Sequence, residues 1–280
     1  MSEKFPLNHD FHIHSYISLC AQDPGMTADF ILNFAIKSNY YAVCVTDHFW
    51  DESVPVSGMY ATYAGQGLDS LKRILPLPKD NDVKFLFGCE AEYCGGDKLG
   101  VAPEHYDLFD MIVIPTNHFH AVPMVAPEGC DTITRIADLF TERLEQLVEL
   151  DLPWKKVGLA HLNGILTFLN GELAHGYPVY DVYSEMPEKR LRPVFNKLGR
   201  LGAGIELNAH CYNEDVPEKK QWKNNKDTVL KLMRIAKEEK CKFYCGSDGH
   251  TTDDFSRGVG RIREAADVLG LTADDLFIPA

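Results

Sequence analysis

Apolar and polar positions form two different patterns along this chain. Seven short stretches are almost continuously apolar and rich in β-branched or aromatic residues, which is typical of buried strands. They are residues 10–14, 41–47, 84–92, 111–117, 157–162, 203–209 and 242–248. The segments between them have the spacing of amphipathic helices, predicted over 28–38, 131–150, 187–201, 226–240 and 260–269. Thr27 is the predicted N-cap of the first helix, and Gly202 the predicted C-cap of the third.

Strands that alternate with helices predict parallel β-α-β units, and apolar strands predict a sheet covered on at least one face. Seven such units without a linker or repeat favour one closed or nearly closed α/β barrel, spanning residues 1–280 as a single domain. The alternative is an open doubly wound sheet, which places ligands in one or two crevices. Residues 49–77 are a long insertion after the second strand. We expect it over the barrel rim, where its aromatic residues either form a lid or pack on the barrel.

Composition excludes several classes of protein. The formal net charge of -13 opposes tight binding to a long nucleic acid. No apolar run approaches the ~18 residues of a membrane-spanning helix, and residues 1–7 lack the apolar core of a secretion signal. The eight cysteines lack the paired spacing of zinc knuckles. They are expected to be reduced thiols in a cytoplasmic protein.

The ends of the predicted strands carry the candidate chemistry. The carboxyl ends of the strands of an α/β barrel form the face on which active sites are built, so side chains there converge on one rim. Imidazole and carboxylate groups together suit zinc, iron or manganese. Nine side chains at or near these ends are candidate metal ligands: His12, His14, Cys20, His48, Glu90, His118, His161, Asp248 and His250. They are enough for three ions with about three ligands each, leaving positions open for water and substrate.

Other polar residues have weaker claims. His9, His105 and His175 lie outside the strand-end pattern and are expected at the surface. Two rim residues, His120 and His210, are candidates for contact with a ligand or with substrate. Glu92 shares the face of Glu90, so it either orients a ligand or is solvated. Arg257 is the candidate for contact with a phosphate, with an exposed surface arginine as the alternative.

The order and spacing of these residues resemble those of a known protein family. The series Asp10-x-His12-x-His14, Thr46-Asp47-His48, Gly88-x-Glu90, His118, Ala160-His161 and Ser247-Asp248-x-His250 resembles the PHP (polymerase and histidinol phosphatase) superfamily. The match extends from the first strand to residue 250. It implies a distorted (β/α)7 barrel of the TIM-like type, with two or three divalent ions that hydrolyse phosphoesters.

The resemblance also implies how the ligands are shared. One ion would be bound by His12, His14, Glu90 and Asp248. Glu90 would bridge to a second ion bound by His118 and His161. A third would be bound by His48, His250 and the residue at position 20. That residue is often His in relatives and is Cys here, so the third site either survives with a thiolate or is lost.

The leading functional hypothesis is a metal-dependent phosphatase that acts on a small phosphorylated substrate, histidinol phosphate being the best-known family substrate. A hydroxide bridging two ions would attack phosphorus in line with the leaving oxygen. Glu90, Asp248 and His250 are the expected catalytic residues, and Arg257 and His210 the expected substrate contacts. One alternative is a phosphodiesterase or exonuclease acting on nucleotides. The other is a non-catalytic metal-binding domain.

Overall fold

The computed structural model describes residues 3–21, 23–130, 132–164, 179–212 and 225–280. The strands of this part of the chain are β1 (His9–Ile13), β2 (Ala42–Val45), β3 (His48–Phe49), β4 (Lys84–Ala91), β5 (Tyr93–Gly95), β6 (Lys98–Leu99), β7 (Met111–Ile114), β8 (Val157–Leu159), β9 (Gly204–Asn208) and β10 (Lys242–Gly246). The helices are α1 (Ala28–Lys37), α2 (Leu68–Leu71), α3 (Ile133–Leu147), α4 (Val179–Glu185), α5 (Glu188–Leu201), α6 (Lys226–Val229), α7 (Lys231–Glu238), α8 (Thr252–Arg257) and α9 (Arg263–Val268).

Seven strands pair in parallel in the order β1-β2-β4-β7-β8-β9-β10. The first and last of them also meet, because His14 N donates to Gly249 O at 3.1 Å and Asp248 N donates to His12 O at 2.8 Å. The sheet is therefore a nearly closed barrel within a single domain. The predicted α/β barrel of seven units is confirmed, and the open sheet is excluded.

The barrel interior changes from apolar to polar along each strand. One buried cluster combines residues of β1, β2, β4, β7 and β10 with one residue after β8 and one near the C-terminus: Phe11, Ala42, Cys44, Leu86, Met111, Val113, Ala160, Tyr244 and Phe277. On β4, Leu86 belongs to this cluster, and Glu90 lies four residues further along the same face. Tyr244 and Asp248 have the same spacing at β10. The candidate ligands therefore lie at the carboxyl ends of the strands, next to the apolar core inside the barrel.

The helix boundaries follow local chemistry at most ends. Thr27 caps α1 by accepting a hydrogen bond from Phe30 N, and Gly202 ends α5 in the left-handed region at φ 82°. The helix predicted from residue 131 begins at Ile133, with Thr132 as its N-cap. Asp131 lies outside the described residues.

Two of the predicted helices differ from the structure. The segment 226–240 forms two helices, α6 and α7, because Leu230 leaves helical geometry at φ -92°, ψ 6°. The segment 260–269 begins as a 3-10 turn over Val259–Ile262 before α9.

The expectation that His9 lies at the surface is wrong, because this residue is completely buried. Its Nε2 accepts a hydrogen bond from Cys245 N at 2.9 Å, and its ring contacts Phe11 and Tyr41. Burial lowers the pKa of His9 to about 3, so the ring is neutral. His105 is half-buried and pairs with Asp51, and His175 lies outside the described residues. No helix in the described ranges has the length and apolar character required to cross a membrane.

Candidate metal centre

The structure brings eight of the nine candidate ligands together in three adjoining groups at the rim of the barrel. In each group the potential ligand atoms lie within 4.8 Å of one another. The groups are His12, His14 and Glu90; then Glu90, His118 and His161; then His14, Cys20, His48 and His250. Asp248 joins them, with Oδ1 3.2 Å from His14 Nε2 and 3.6 Å from His12 Nε2. Glu90 is shared by two groups, and His14 also by two.

Hydrogen bonds fix which nitrogen of each ring faces the centre of the first group. His12 Nδ1 donates to the carboxylate of Glu206 at 3.0 Å. His14 Nδ1 lies 3.1 Å from Ser18 Oγ. The Ser18 hydroxyl donates its own proton to Asp47 at 2.9 Å, so it accepts from His14. In the neutral form both rings therefore carry the proton on Nδ1 and present a bare Nε2.

The second group is built in the same way. His118 Nδ1 donates to Glu92 at 2.7 Å. His161 Nδ1 donates to Asn117 Oδ1 at 2.9 Å, while the Asn117 amide donates to His161 O at 3.0 Å and so fixes its own orientation. His118 and His161 thus also present bare Nε2 atoms.

The bare nitrogens face each other at a distance that fits a metal. His12 Nε2 lies 3.2 Å from His14 Nε2, and His118 Nε2 lies 3.2 Å from His161 Nε2. Two nitrogen lone pairs do not hydrogen-bond to each other, so each pair needs either a proton or a metal ion between them. Zn–N bonds of about 2.0–2.1 Å in a tetrahedral site separate two nitrogens by about 3.3–3.4 Å. The donor set of both groups therefore fits divalent zinc.

Glu90 and His48 give an independent indication that this part of the rim can bind a cation. Both side chains are buried, Glu90 at 1% exposure and His48 at 6%. Glu90 Oε2 and His48 Nδ1 lie 2.8 Å apart and form an ion pair, but their geometry is not that of a hydrogen bond, and neither atom has another hydrogen-bond partner among the described residues. Buried polar atoms are almost always satisfied, so two orphaned atoms side by side point to a ligand between or beside them.

The carboxylates at the rim also favour positive charge on the groups beside them. Burial lowers the pKa of His14, but hydrogen bonds to Asp248 and Glu90 outweigh burial and raise it to about 9. At His118, burial is outweighed by Glu92, and the pKa again rises to about 9. Burial and nearby carboxylates raise the pKa of the Cys20 thiol. Protons on these rings and a divalent cation are therefore competing ways to neutralise the same carboxylates.

Two of the candidate ligands sit on strained backbone. His161 has φ 28° and Asp248 has φ 53°, a region that side chains other than glycine rarely adopt. Each residue lies two positions after the last residue of a barrel strand. Such conformations cost about 1–3 kcal/mol and cluster at functional sites, where the surrounding structure imposes them.

A pocket of about 190 Å³ opens onto the three groups. Its walls include Tyr60, Thr62 and Tyr63 from the segment 49–77, with His120 beside them. Tyr63 is buried and donates its hydroxyl proton to Glu92 at 2.6 Å, whereas the Tyr60 ring packs edge-on against His120. The segment 49–77 therefore contributes one side of this pocket.

The remaining predicted residues lie at different distances from the pocket. Glu92 is fully buried and holds the His118 ring, rather than being solvated. His210 lies beneath the rim, with Nε2 2.8 Å from Asp254 and 3.2 Å from the Asp248 carbonyl. Arg257 is exposed at the end of α8 and pairs with Asp253. Neither His210 nor Arg257 is among the described pocket-lining residues, and their contact with substrate stays a prediction.

Sequence reasoning missed Glu206 as a functional residue. One carboxylate oxygen holds His12, and the other accepts from His161 N at 2.5 Å, so this side chain joins two ligand groups. The alternation of side chains along β9 indicates that Glu206 faces inward. Nothing in the neighbouring sequence identifies the residues that it contacts. Gly246 is also required here, because a Cβ atom at this position would collide with Glu206.

No protein-family model and no curated protein sequence matches this chain. Among solved structures, a histidinol phosphate phosphatase from Lactococcus lactis subsp. lactis Il1403, in complex with zinc, L-histidinol and phosphate, is similar over 93% of this chain and 94% of its own, with a TM-score of 0.54 and 15% identity. The fold is a PHP-like barrel. At this identity the likeness is one of fold alone.

Two other solved structures show weaker similarity to this chain. A chain of archaeal ribonuclease P in complex with mature tRNA has a TM-score of 0.38 at 10% identity, covering 92% of both chains. A triazine hydrolase variant has a TM-score of 0.37 at 10% identity, covering 90% of this chain and 61% of its own. Neither bears on function.

Proposed function

We propose that this protein is a metal-dependent phosphatase that hydrolyses a small phosphomonoester. One observation carries the proposal: two pairs of bare Nε2 atoms, each 3.2 Å apart, lie beside Glu90 at the rim of the barrel. The same fold is found in a phosphatase whose structure contains zinc, L-histidinol and phosphate. Histidinol phosphate is therefore the first substrate to test.

We assign two ions to these ligand groups, with zinc as the ion that best fits the donors. His12, His14, Glu90 and Asp248 would bind the first, and Glu90, His118 and His161 the second. Divalent ions bound there would supply Lewis-acid activation of water and neutralise the phosphoryl oxygens. Glu90 belongs to both groups, so its two oxygens would be available to both ions.

The protein's own residues prepare the site for that chemistry. Glu206 and Asn117 fix the ring orientations through Nδ1, so the ligand geometry is set before substrate binds. No lysine or arginine is among the described residues that line the pocket. The charge of a phosphate group would therefore be met at the metal groups and not by a basic clamp.

The size and lining of the pocket limit the part of the substrate beyond the phosphate group. At about 190 Å³ it is smaller than ordinary drug-sized pockets, so it suits a phosphate with a small alcohol group. Burial lowers the pKa of His120 to about 3, so the ring is neutral beside Tyr60. The alcohol part would contact these neutral walls, while the phosphoryl group would lie at the metal ligands, where Asp248 and His250 also line the pocket.

The test is phosphate release from a panel of monoesters, histidinol phosphate included, beside a model diester. We expect release from at least one monoester with added zinc or manganese, and loss of that activity in a His12→Ala/His14→Ala double variant. His105→Ala is the matched control, because His105 pairs with Asp51 outside the three groups. Cleavage of the diester alone would favour a phosphodiesterase. A metal-loaded protein that cleaves neither would contradict the proposal.

A further inference from the structure

The insertion that forms one side of the pocket contains a short hydrogen-bonded turn, residues 60–66. Within this turn, Tyr63 N donates to Tyr60 O at 2.9 Å, and Gln66 N donates to Tyr63 O at 3.0 Å. Gln66 Oε1 also accepts from Leu19 N at 2.7 Å, in the turn after β1. The 60–66 turn is therefore held both by its own hydrogen bonds and by one to the rim of the barrel.

The Tyr63 hydroxyl connects this turn to a metal ligand. It donates to Glu92 Oε2 at 2.6 Å, and His118 Nδ1 donates to the same oxygen at 2.7 Å. The other carboxylate oxygen, Oε1, accepts from Tyr93 N at 3.2 Å. Tyr63 is 3% exposed and Glu92 is completely buried, so water does not compete for these bonds. Tyr63 thus helps to fix the carboxylate that orients the His118 ring.

We propose that Tyr63 is a positioning residue for the second ion, acting through Glu92 on His118, and that the 60–66 turn and this ion stabilise each other. The inference rests on the metal centre of the proposed function. It makes the insertion a fixed part of that centre and not a lid over it.

The size of the expected effect follows from the distance between Tyr63 and the ion. Residues that orient a metal ligand directly change metal affinity by about 10–100-fold. Tyr63 acts one residue further out, so we expect the lower end of this range, about tenfold. Coupling between two sites is reciprocal, so the bound ion should stabilise the 60–66 turn by the same factor.

The first test is zinc titration of the full-length chain by competition with a chelator of known affinity. His118→Ala should abolish binding of the second ion, which identifies that step of the titration. Tyr63→Phe removes the hydroxyl and keeps the ring, which packs edge-on against His48 with centroids 4.9 Å apart. It should raise the Kd of the second ion about tenfold and leave that of the first ion unchanged.

The matched control is Tyr93→Phe, which also removes the hydroxyl of a buried tyrosine. That hydroxyl donates to Gly96 O at 2.9 Å, and Tyr93 belongs to none of the three ligand groups. Both zinc affinities should match those of the wild type. Equal shifts in Tyr63→Phe and Tyr93→Phe, or a shift for both ions in Tyr63→Phe, would overturn the inference.

Glu92→Gln tests the same connection if Tyr63→Phe fails to fold. Its amide replaces one of the two carboxylate oxygens, so a donor must face Tyr93 N or the pair of donors on Oε2. It should weaken the second ion selectively, and an unchanged Kd for that ion would contradict the inference.

Amide hydrogen exchange in the 60–66 turn gives a second readout, because a purely structural hydroxyl would not couple the turn to metal. Saturating zinc should slow exchange at the amides of Tyr63 and Gln66 about tenfold in the wild type and in Tyr93→Phe. In Tyr63→Phe zinc should have no effect on these amides. Exchange that ignores zinc in the wild type, or that slows equally in Tyr63→Phe, would overturn the inference.

Phosphate release from the same samples separates this inference from the proposed function. A second ion that depends on Tyr63 in a protein that hydrolyses no phosphomonoester supports the positioning role and contradicts the phosphatase. Zinc-dependent phosphate release with equal zinc affinities in Tyr63→Phe and the wild type supports the phosphatase and contradicts the positioning role.

Discussion

Glu206 offers the sharpest test of how the centre is held together. Its side chain is completely buried. Its two oxygens accept from three donors: His12 Nδ1 at 3.0 Å, Asn208 Nδ2 at 3.2 Å and His161 N at 2.5 Å. Glutamine is almost the same size but replaces one oxygen with a donor. In Glu206→Gln, an NH₂ group must therefore face at least one of these donors.

The expected loss of metal affinity follows from this arrangement. A hydrogen bond to a charged group contributes about 1.5–3 kcal/mol, and partners that orient metal ligands change affinity by about 10–100-fold. The two estimates agree, because 100-fold corresponds to about 2.7 kcal/mol. We expect the Kd for zinc to rise about 10–100-fold in Glu206→Gln, measured by competition with a chelator of known affinity.

The matched control is Glu145→Gln, which removes a charge from a surface pair with Arg190. It should leave zinc affinity unchanged, because exposed pairs contribute about 0–1 kcal/mol to stability and this one touches no ligand. Equal zinc affinities for the wild type and Glu206→Gln would refute the claim that this carboxylate positions His12.

Three further predictions test other parts of the centre. Gly246→Ala places a Cβ against Glu206 and 2.8 Å from His12 Cβ, so zinc affinity should fall about tenfold or more; Gly260→Ala, with open space around it, should be neutral in the same titration. Tyr63→Phe removes the hydroxyl that donates to Glu92; urea unfolding should show a loss of about 1–2 kcal/mol, and an unchanged midpoint would contradict this role. The third prediction concerns pH. The folded, metal-free protein holds the pKa of His14 and His118 at about 9, above their ordinary value of 6.5. Their contribution to stability is therefore complete below pH 6.5 and is lost as the pH rises through 9, by at most about 1.4 kcal/mol per pH unit for each ring. Saturating zinc should abolish this decline, and a metal-free protein equally stable at pH 6.5 and 9 would count against it.

The barrel and its polar rim could be predicted from sequence because both depend on local periodicity. Alternation along a strand places Leu86 and Glu90 on one face, and it does the same for Tyr244 and Asp248. Parallel strands then bring their carboxyl ends to one edge. The N-cap at Thr27 and the C-cap at Gly202 are equally local.

What the sequence did not predict depends on contacts across the barrel. Two of the three partners of Glu206, His12 and His161, lie 194 and 45 residues away. The burial of His9 results from its contact with Cys245, which is 236 residues away. Tyr63 is part of an irregular segment, so no periodicity indicated that its hydroxyl reaches Glu92. Periodicity determines which way a side chain faces, but not what it meets.

The most direct test of the central claim is phosphate release from histidinol phosphate by one protein sample in three states. The sample is assayed as purified, after removal of metal with a chelator, and after zinc is returned, with bound zinc measured in each state. The account predicts that activity and bound zinc disappear together and return together. Phosphate release that survives complete removal of metal would contradict it, as would a fully zinc-loaded protein that releases no phosphate from any monoester.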